Sequence, residues 1–252
     1  MKLPGFIPAE LRELASFVPA SGWDAVEWRP LLSAMRSLSV QMATGRGVSR
    51  LGRTVDDAVD SVTLVRNLET GEVLERTAPP RRRKKLGSAL LEFYFSQWLL
   101  EDGLFLDLRP SRFAAQGDAL LYQPNGLWIR LRPDFRGGML ALYRSFYSAD
   151  DAAFEAALRQ MGMLKDDLDD AEAAELKGLL KQHFGMDQRA QHFRIEEFRQ
   201  SFDDLFRFFV DHDYKLHSDF VFVGFYLITL YLALEALGEA LDTRAICSRV
   251  LL

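Results

Sequence analysis

The chain is 252 residues long, enough for one large or two small domains with a real core. Hydrophobic residues make up 48% and charged residues 27%, a globular balance without the signature of disorder. The net charge of −5 argues against nucleic-acid binding by field alone, and the single cysteine, Cys247, leaves no intrachain disulfide and no cysteine-based zinc cluster.

The opening "MKLPGFIPAELRELASF" interrupts any apolar run with Pro4, Pro8, Glu10, Arg12 and Glu13, so no signal peptide is expected. "PAELRELASF" and "WDAVEWRPLLSAMRSLSVQMA" have helical periodicity, the second interrupted or restarted at Pro30. "TGRGVSRLGR" reads as a Gly/Arg-rich connector. Next, "SVTLVRN" and "EVLERT" flank "LETG" as a hairpin in which Gly71 supplies the positive φ. "APPRRRKK" is expected to be a hinge or linker, its prolines stopping whatever precedes them. The run Arg81, Arg82, Arg83, Lys84 and Lys85 is either solvated linker or a patch for a membrane surface or an acidic partner. From Lys84 to Asp102 the apolar Leu86, Leu90, Phe93, Trp98 and Leu99 mark a long helix ending at Gly103.

The following stretch, "EDGLFLDLRPSRF", carries Asp107, Arg109 and Arg112. Asp107 reads as a general base or as a cap on a loop N–H. The two arginines suit anion binding, to a phosphate or an anionic lipid head, or pairing with nearby acids. "ALLYQPNGLWIRLR" predicts two short strands around Pro124-Asn125-Gly126. After Gly138 the periodicity is helical, beginning with "YSADDAAFEAALRQMG", which has Ser148 and Asp151 at its start and Gly162 at its end.

"KDDLDDAEAAE" fits a dipole-favoured helix start better than a metal site. His212, His217 and Asp219 hold zinc or iron only if a further ligand such as His183 or His192 joins them, and no metal is expected. As a helix, Phe220 to Leu234 rises about 22 Å, short of the ~30 Å hydrocarbon core, so a buried helix is expected rather than a membrane span. Trp23, Trp28, Trp98 and Trp128 read as packing residues. The expected fold is mainly α (α+β), with an N-terminal helical arm over residues 1–60 and a helical domain with two short hairpins over residues 61–252.

The order hairpin, linker, helix, "EDGLF" loop, hairpin, helices is similar to that of a protein-kinase-like C-lobe. Within that group the chain resembles the UbiB/AarF-type atypical kinases linked to ubiquinone biosynthesis. "SQWLLEDGLFLDLRPSRF" stands against the family's D-G-F-F-H-A-D-P-H-P-G-N, and "LLYQPNGLWIRLRPDFRGGM" against its short hairpin and D-F-G. "LALYRSFYSADDAAFEAALRQMGML" and "DFVFVGFYLITLYLALEALGEALD" resemble its later helices, so the likeness spans residues 62 to 245.

The resemblance implies that Asp107 matches the catalytic Asp, and that Asp134, followed by Phe135, is the nucleotide- and metal-loop Asp once two inserted residues are allowed. Phosphoryl transfer also needs an Asn on the metal and a lysine on the phosphates. Here the family's second His corresponds to Arg109 and its Asn to Arg112. A guanidinium has a fixed positive charge and no lone pair, so it repels a divalent cation. No phosphate-binding Gly-rich loop and no K-x-G-Q run precedes the hinge-like strand.

The expectation is therefore a catalytically degenerate, pseudokinase-like protein, more a binding or scaffold partner than an enzyme, in quinone or isoprenoid-lipid metabolism. Its partner is a protein or a lipid surface, not a nucleic acid, and no cofactor is expected. A cytoplasmic place is expected, with peripheral attachment at the inner membrane surface as a further option. Two alternatives stand beside it: an active UbiB-type ATPase or kinase using ATP and magnesium, and a helical interaction module unrelated to kinases.

Overall fold

In the computed structural model, residues 7–18, 21–68, 72–74, 79–165, 168–184 and 190–252 are described, and helices dominate among them. The chain is mainly α, with a small β component. It begins with α1 (Ala9–Ala15), a 3₁₀ turn over Ser21–Ala25, and α2 (Trp28–Thr44). The restart at Trp28 puts Pro30 in the first turn, where its missing N–H removes no intrahelical bond.

"TGRGVSRLGR" is not a connector. Gly45 ends α2 in the left-handed conformation, and α3 (Val48–Ala58) starts at once. Leu51 and Val55, four apart, are buried on one side of α3 and decide for helix over the glycines and arginines around them.

Strands β1 (Val62–Leu64), β2 (Glu72–Val73), β4 (Phe113–Gln116) and β5 (Ala119–Tyr122) make one sheet in the order β1-β5-β4-β2. Both expected hairpins are thereby corrected. β1 and β2 lie on opposite edges, and Gly71, the expected turn residue, falls outside the described residues. β1 runs parallel to β5 with Val62 opposite Leu120. The hairpin that does form is β4–β5, with Phe113 opposite Tyr122. The Pro124-Asn125-Gly126 turn leads out of that sheet to β6 (Trp128–Ile129), which pairs antiparallel with β3 (Leu104–Phe105). Strands this short choose the pairing that buries their faces, and turn residues alone do not fix it.

α4 (Pro80–Gln97) corrects the linker reading: Arg81 to Lys85 are helical, behind Pro80 in the first turn, where a proline's fixed φ suits a helix. Phe93 of α4 packs on Phe113 and Tyr122 of the β4–β5 hairpin. Gly103 is not the cap of α4. Its φ is +140°, and a Cβ there would stand 2.7 Å from the Ile129 carbonyl oxygen, so the β3–β6 pair requires glycine.

The rest is α5 (Pro133–Ser148), α6 (Asp151–Gln160), α7 (Asp170–Phe184), α8 (Ile195–Asp211), α9 (Ser218–Leu237) and α10 (Thr243–Leu251). Asp150, not Ser148, caps α6 by accepting from Ala153 N at 3.0 Å. Asp169 and Glu172 close a reciprocal capping box at α7, at 2.8 and 3.0 Å, the helix-start role expected of the acidic run.

α9 is long and apolar enough by length and composition to cross a membrane, yet 78% of its apolar window is buried inside the protein. It packs against α1, α2, α4 and α8. One continuous set of buried residues runs from Ile7 to Leu251, so α1 and α2 share a core with residues 61–252. Val26 forms a parallel bridge to Leu216 at that junction.

Candidate functional site

The Asp107 loop is held by buried polar groups from two helices and one strand. Gln97, at the end of α4, accepts from Phe105 N through Oε1 at 2.7 Å and donates to the Tyr226 hydroxyl at 2.7 Å. Thr229 of α9 donates to the Leu106 carbonyl at 2.8 Å. Tyr122 of β5 donates to the Asp107 carbonyl at 2.9 Å. Gln97, Thr229 and Asp107 are each 0% exposed. Buried polar groups persist only when partnered, and here each partner pins one backbone group of the loop.

The Asp107 carboxylate is fully occupied. Oδ1 accepts from Arg109 Nε at 2.8 Å and from Arg109 N at 3.2 Å. Oδ2 accepts from Arg109 Nη2 at 2.7 Å, Arg112 Nε at 3.1 Å and Asn125 Nδ2 at 2.7 Å. Asn125 is oriented by accepting from Leu127 N at 3.1 Å, so the PNG turn supplies a ligand to the carboxylate as well as a change of direction. Five donors meet the roughly four lone-pair positions of a carboxylate.

Burial alone pushes the Asp107 carboxyl upward, but the hydrogen bonds and charges of Arg109, with the charge of Arg112, outweigh it and hold the group below the ordinary carboxylate range. The Tyr122 hydroxyl is raised well above its usual value by burial and by the Asp107 charge.

The N-terminal helices cover the loop. Glu13 of α1 accepts from the third face of Arg109, Nη1 to Oε2 at 2.7 Å. α2 reaches the turn: Gly126 has φ +83°, and a Cβ on it would lie 3.0 Å from Met42 Cα. Trp128 Nε1 donates to the Arg46 carbonyl at 3.0 Å beside it.

Asp134 is exposed in the first turn of α5 and is not among the groups that contact Asp107. Its carbonyl accepts from Gln160, and Arg136, two residues on, turns to the Trp98 carbonyl. Arg81 to Lys85 are spread by the helix over several partners. Arg82 donates to the Gly117 carbonyl at 2.8 Å, Arg83 pairs with Glu239, and Lys85 pairs with Asp118 at 2.5 Å. Arg81 and Lys84 are exposed and face an open groove of about 540 Å³ between the start of α4 and β1, which also carries Asp60 and Glu92.

The histidines do not converge. His212 reaches Glu172 at 3.4 Å, while His217 accepts from Asp219 N at 3.2 Å and caps α9. Asp219 is taken by Arg132 at 2.7 Å, and the side chain of His183 is outside those described. No group of three His, Cys, Asp or Glu side chains comes together among the described residues. Trp98 is fully buried, and Trp23 stacks on Trp28 at 5.2 Å.

Sequence reasoning found Asp107, Arg109 and Arg112. It missed Asn125, which carried only a turn signal, and Gln97, Tyr122 and Thr229, polar residues inside apolar patterns. No protein-family model matches the chain and no curated protein matches it. Fold and site together define a mainly helical α+β protein that seals an arginine-neutralised carboxylate beneath its N-terminal helices.

Proposed function

We propose that this chain is a kinase-like protein without phosphotransfer capacity that serves as a binding or scaffold partner. The observation that carries the reading is the state of Asp107: no exposed surface, both oxygens taken, and two guanidinium groups beside it. A catalytic base must reach its substrate proton, and a metal ligand must have a lone pair free for the ion. This carboxylate offers neither. The element order also supports a kinase-like lobe: α4, the short β3, the Asp107 loop, the β4–β5 hairpin, β6 returning to pair with β3, then α5. This link to the fold is by analogy.

Quinone or isoprenoid-lipid metabolism is the setting that the family resemblance adds, and the cytoplasm is the proposed location, with peripheral attachment at the inner membrane surface as a further option. Of the basic run, the exposed Arg81 and Lys84 are the cations offered to a membrane surface or an acidic partner, Lys85 being paired with Asp118.

The test is thermal stabilisation by ATP with and without magnesium. The reading expects no magnesium-dependent rise in Tm. A rise abolished by Asp134→Ala overturns it in favour of an active ATPase or kinase of the UbiB type.

A further inference from the structure

The Asp107 cluster has an outer side that its structural role leaves unexplained. Arg109 spends Nε and Nη2 on Asp107 and presents Nη1 outward. Arg112 uses only Nε, and among the described residues its two terminal amino groups have no hydrogen-bond partner. Both guanidinium groups donate to the same oxygen, Asp107 Oδ2, Arg109 through Nη2 at 2.7 Å and Arg112 through Nε at 3.1 Å. The Arg112 side chain is 24% exposed and the Arg109 side chain 11%.

Glu13 is the group that meets this outer side. Its carboxylate takes Arg109 Nη1 at 2.7 Å, yet its side chain remains 60% exposed and belongs to the short helix α1. Charge balance shows what it does. Asp107, Arg109 and Arg112 sum to one positive charge; Glu13 is the carboxylate in contact with it, and Glu10, also on α1, adds its charge at a greater distance from Arg109. An exposed carboxylate bound to a rigid, pre-paired arginine is a weak, replaceable anion, since ion pairs of this exposure contribute about 0–1 kcal/mol.

We propose that Glu13 stands in for the phosphate group of a ligand: Arg109 and Arg112, locked by Asp107, form a phosphate-binding site, and α1 is a displaceable cover over it. This names the ligand class for the binding role proposed above and rests on that reading of the loop as a non-catalytic element. A phosphate suits the site better than a second carboxylate. Its three or more oxygens can accept from Arg109 Nη1 and from the free amino groups of Arg112 together, in the fork geometry that guanidinium groups offer. The same chemistry is presented by a soluble phosphate ester and by a phosphatidate headgroup.

The experiment is calorimetric titration of the full chain with inorganic phosphate in EDTA, so that magnesium and nucleotide play no part and the outcome is independent of the ATP test. Wild type, Glu13→Gln and Glu13→Gln/Arg112→Gln are compared, with far-UV circular dichroism and Tm to show that each is folded. Removing the competing carboxylate is expected to tighten phosphate binding about fivefold, the equivalent of about 1 kcal/mol. Loss of Arg112 should reverse the gain. Vesicles of phosphatidylcholine with and without phosphatidate then assign the source: binding to phosphatidate vesicles that increases in Glu13→Gln identifies a lipid headgroup, and phosphate binding without it identifies a soluble ester. Absence of phosphate binding by folded Glu13→Gln, or an affinity equal to that of wild type, overturns the proposal.

Discussion

Arg109 holds Asp107 through two parallel hydrogen bonds, Nε to Oδ1 at 2.8 Å and Nη2 to Oδ2 at 2.7 Å. A bidentate fork of this kind, in a site without solvent, makes the carboxylate a structural anchor. Removing one member strands the others. Asp107→Ala is expected to destabilise the protein by about 3–5 kcal/mol, because two guanidinium groups lose their counter-ion. Urea unfolding of the variant measures it, and a loss below about 1 kcal/mol contradicts the anchoring role.

The pH dependence follows from the depressed Asp107 carboxyl. Its folded value lies below the unfolded one, so its contribution is complete above the unfolded value of about 4 and is lost as pH falls through the folded value. Melting scans should therefore show an acid-induced drop in Tm below about pH 4. In Asp107→Asn that drop should be shallower, with a lower Tm at neutral pH.

Gln97 and Thr229 pin the strand and loop from two helices. Gln97→Leu leaves the buried Phe105 N–H without an acceptor and should cost about 1–3 kcal/mol. Thr229→Val removes one donor to the Leu106 carbonyl and should cost about 1 kcal/mol. Chemical denaturation of both variants, with m-values unchanged, checks the pair.

Gly126 is the point where the turn meets α2. Gly126→Ala combines a positive φ with a 3.0 Å approach to Met42 Cα, and backbone cannot step aside as a side-chain tip can. The variant should lose more than 1 kcal/mol, and protease cleavage near Arg46 should quicken as α2 lifts. Unchanged cleavage would mean that α2 does not depend on this contact.

Arg81 sits in the first turn of α4, where the helix dipole disfavours a cation. Arg81→Glu should stabilise the protein by about 0.3–1 kcal/mol while reducing flotation with anionic liposomes. Opposite signs for stability and binding are the signature of a residue kept for a partner.

Cys247 is buried in α10, and burial pushes its thiol up to about 12. It should resist iodoacetamide in the native state at pH 8 and react once the chain is unfolded in urea.

The long helices were legible because their apolar residues repeat every three or four positions, but α9 is twenty residues long, about 30 Å and not the expected ~22 Å, so its burial inside the protein and not its length marks it as a core helix. The strands were less legible. β1 finds its partner β5 across a helix and three further strands, and no local pattern in "SVTLVRN" encodes a parallel partner near residue 120. The glycines and arginines of "TGRGVSRLGR" obscured the Leu51–Val55 spacing, and the charges of "RRRKK" obscured a helix start that Pro80 favours. At the site, spacing within one loop revealed Asp107, Arg109 and Arg112. Glu13 and Asn125 join them only through the fold, from ninety-six residues upstream of Arg109 and eighteen residues downstream of Asp107.

The most direct test of the sealed carboxylate is a titration with Mn²⁺ and ATP followed by electron paramagnetic resonance. All Mn²⁺ beyond that held by ATP itself should remain free, with the same spectrum for wild type and Asp107→Asn. A stoichiometric protein-bound Mn²⁺ signal that disappears in Asp107→Asn would contradict it, because a metal would then be sharing the oxygens assigned here to Arg109 and Arg112.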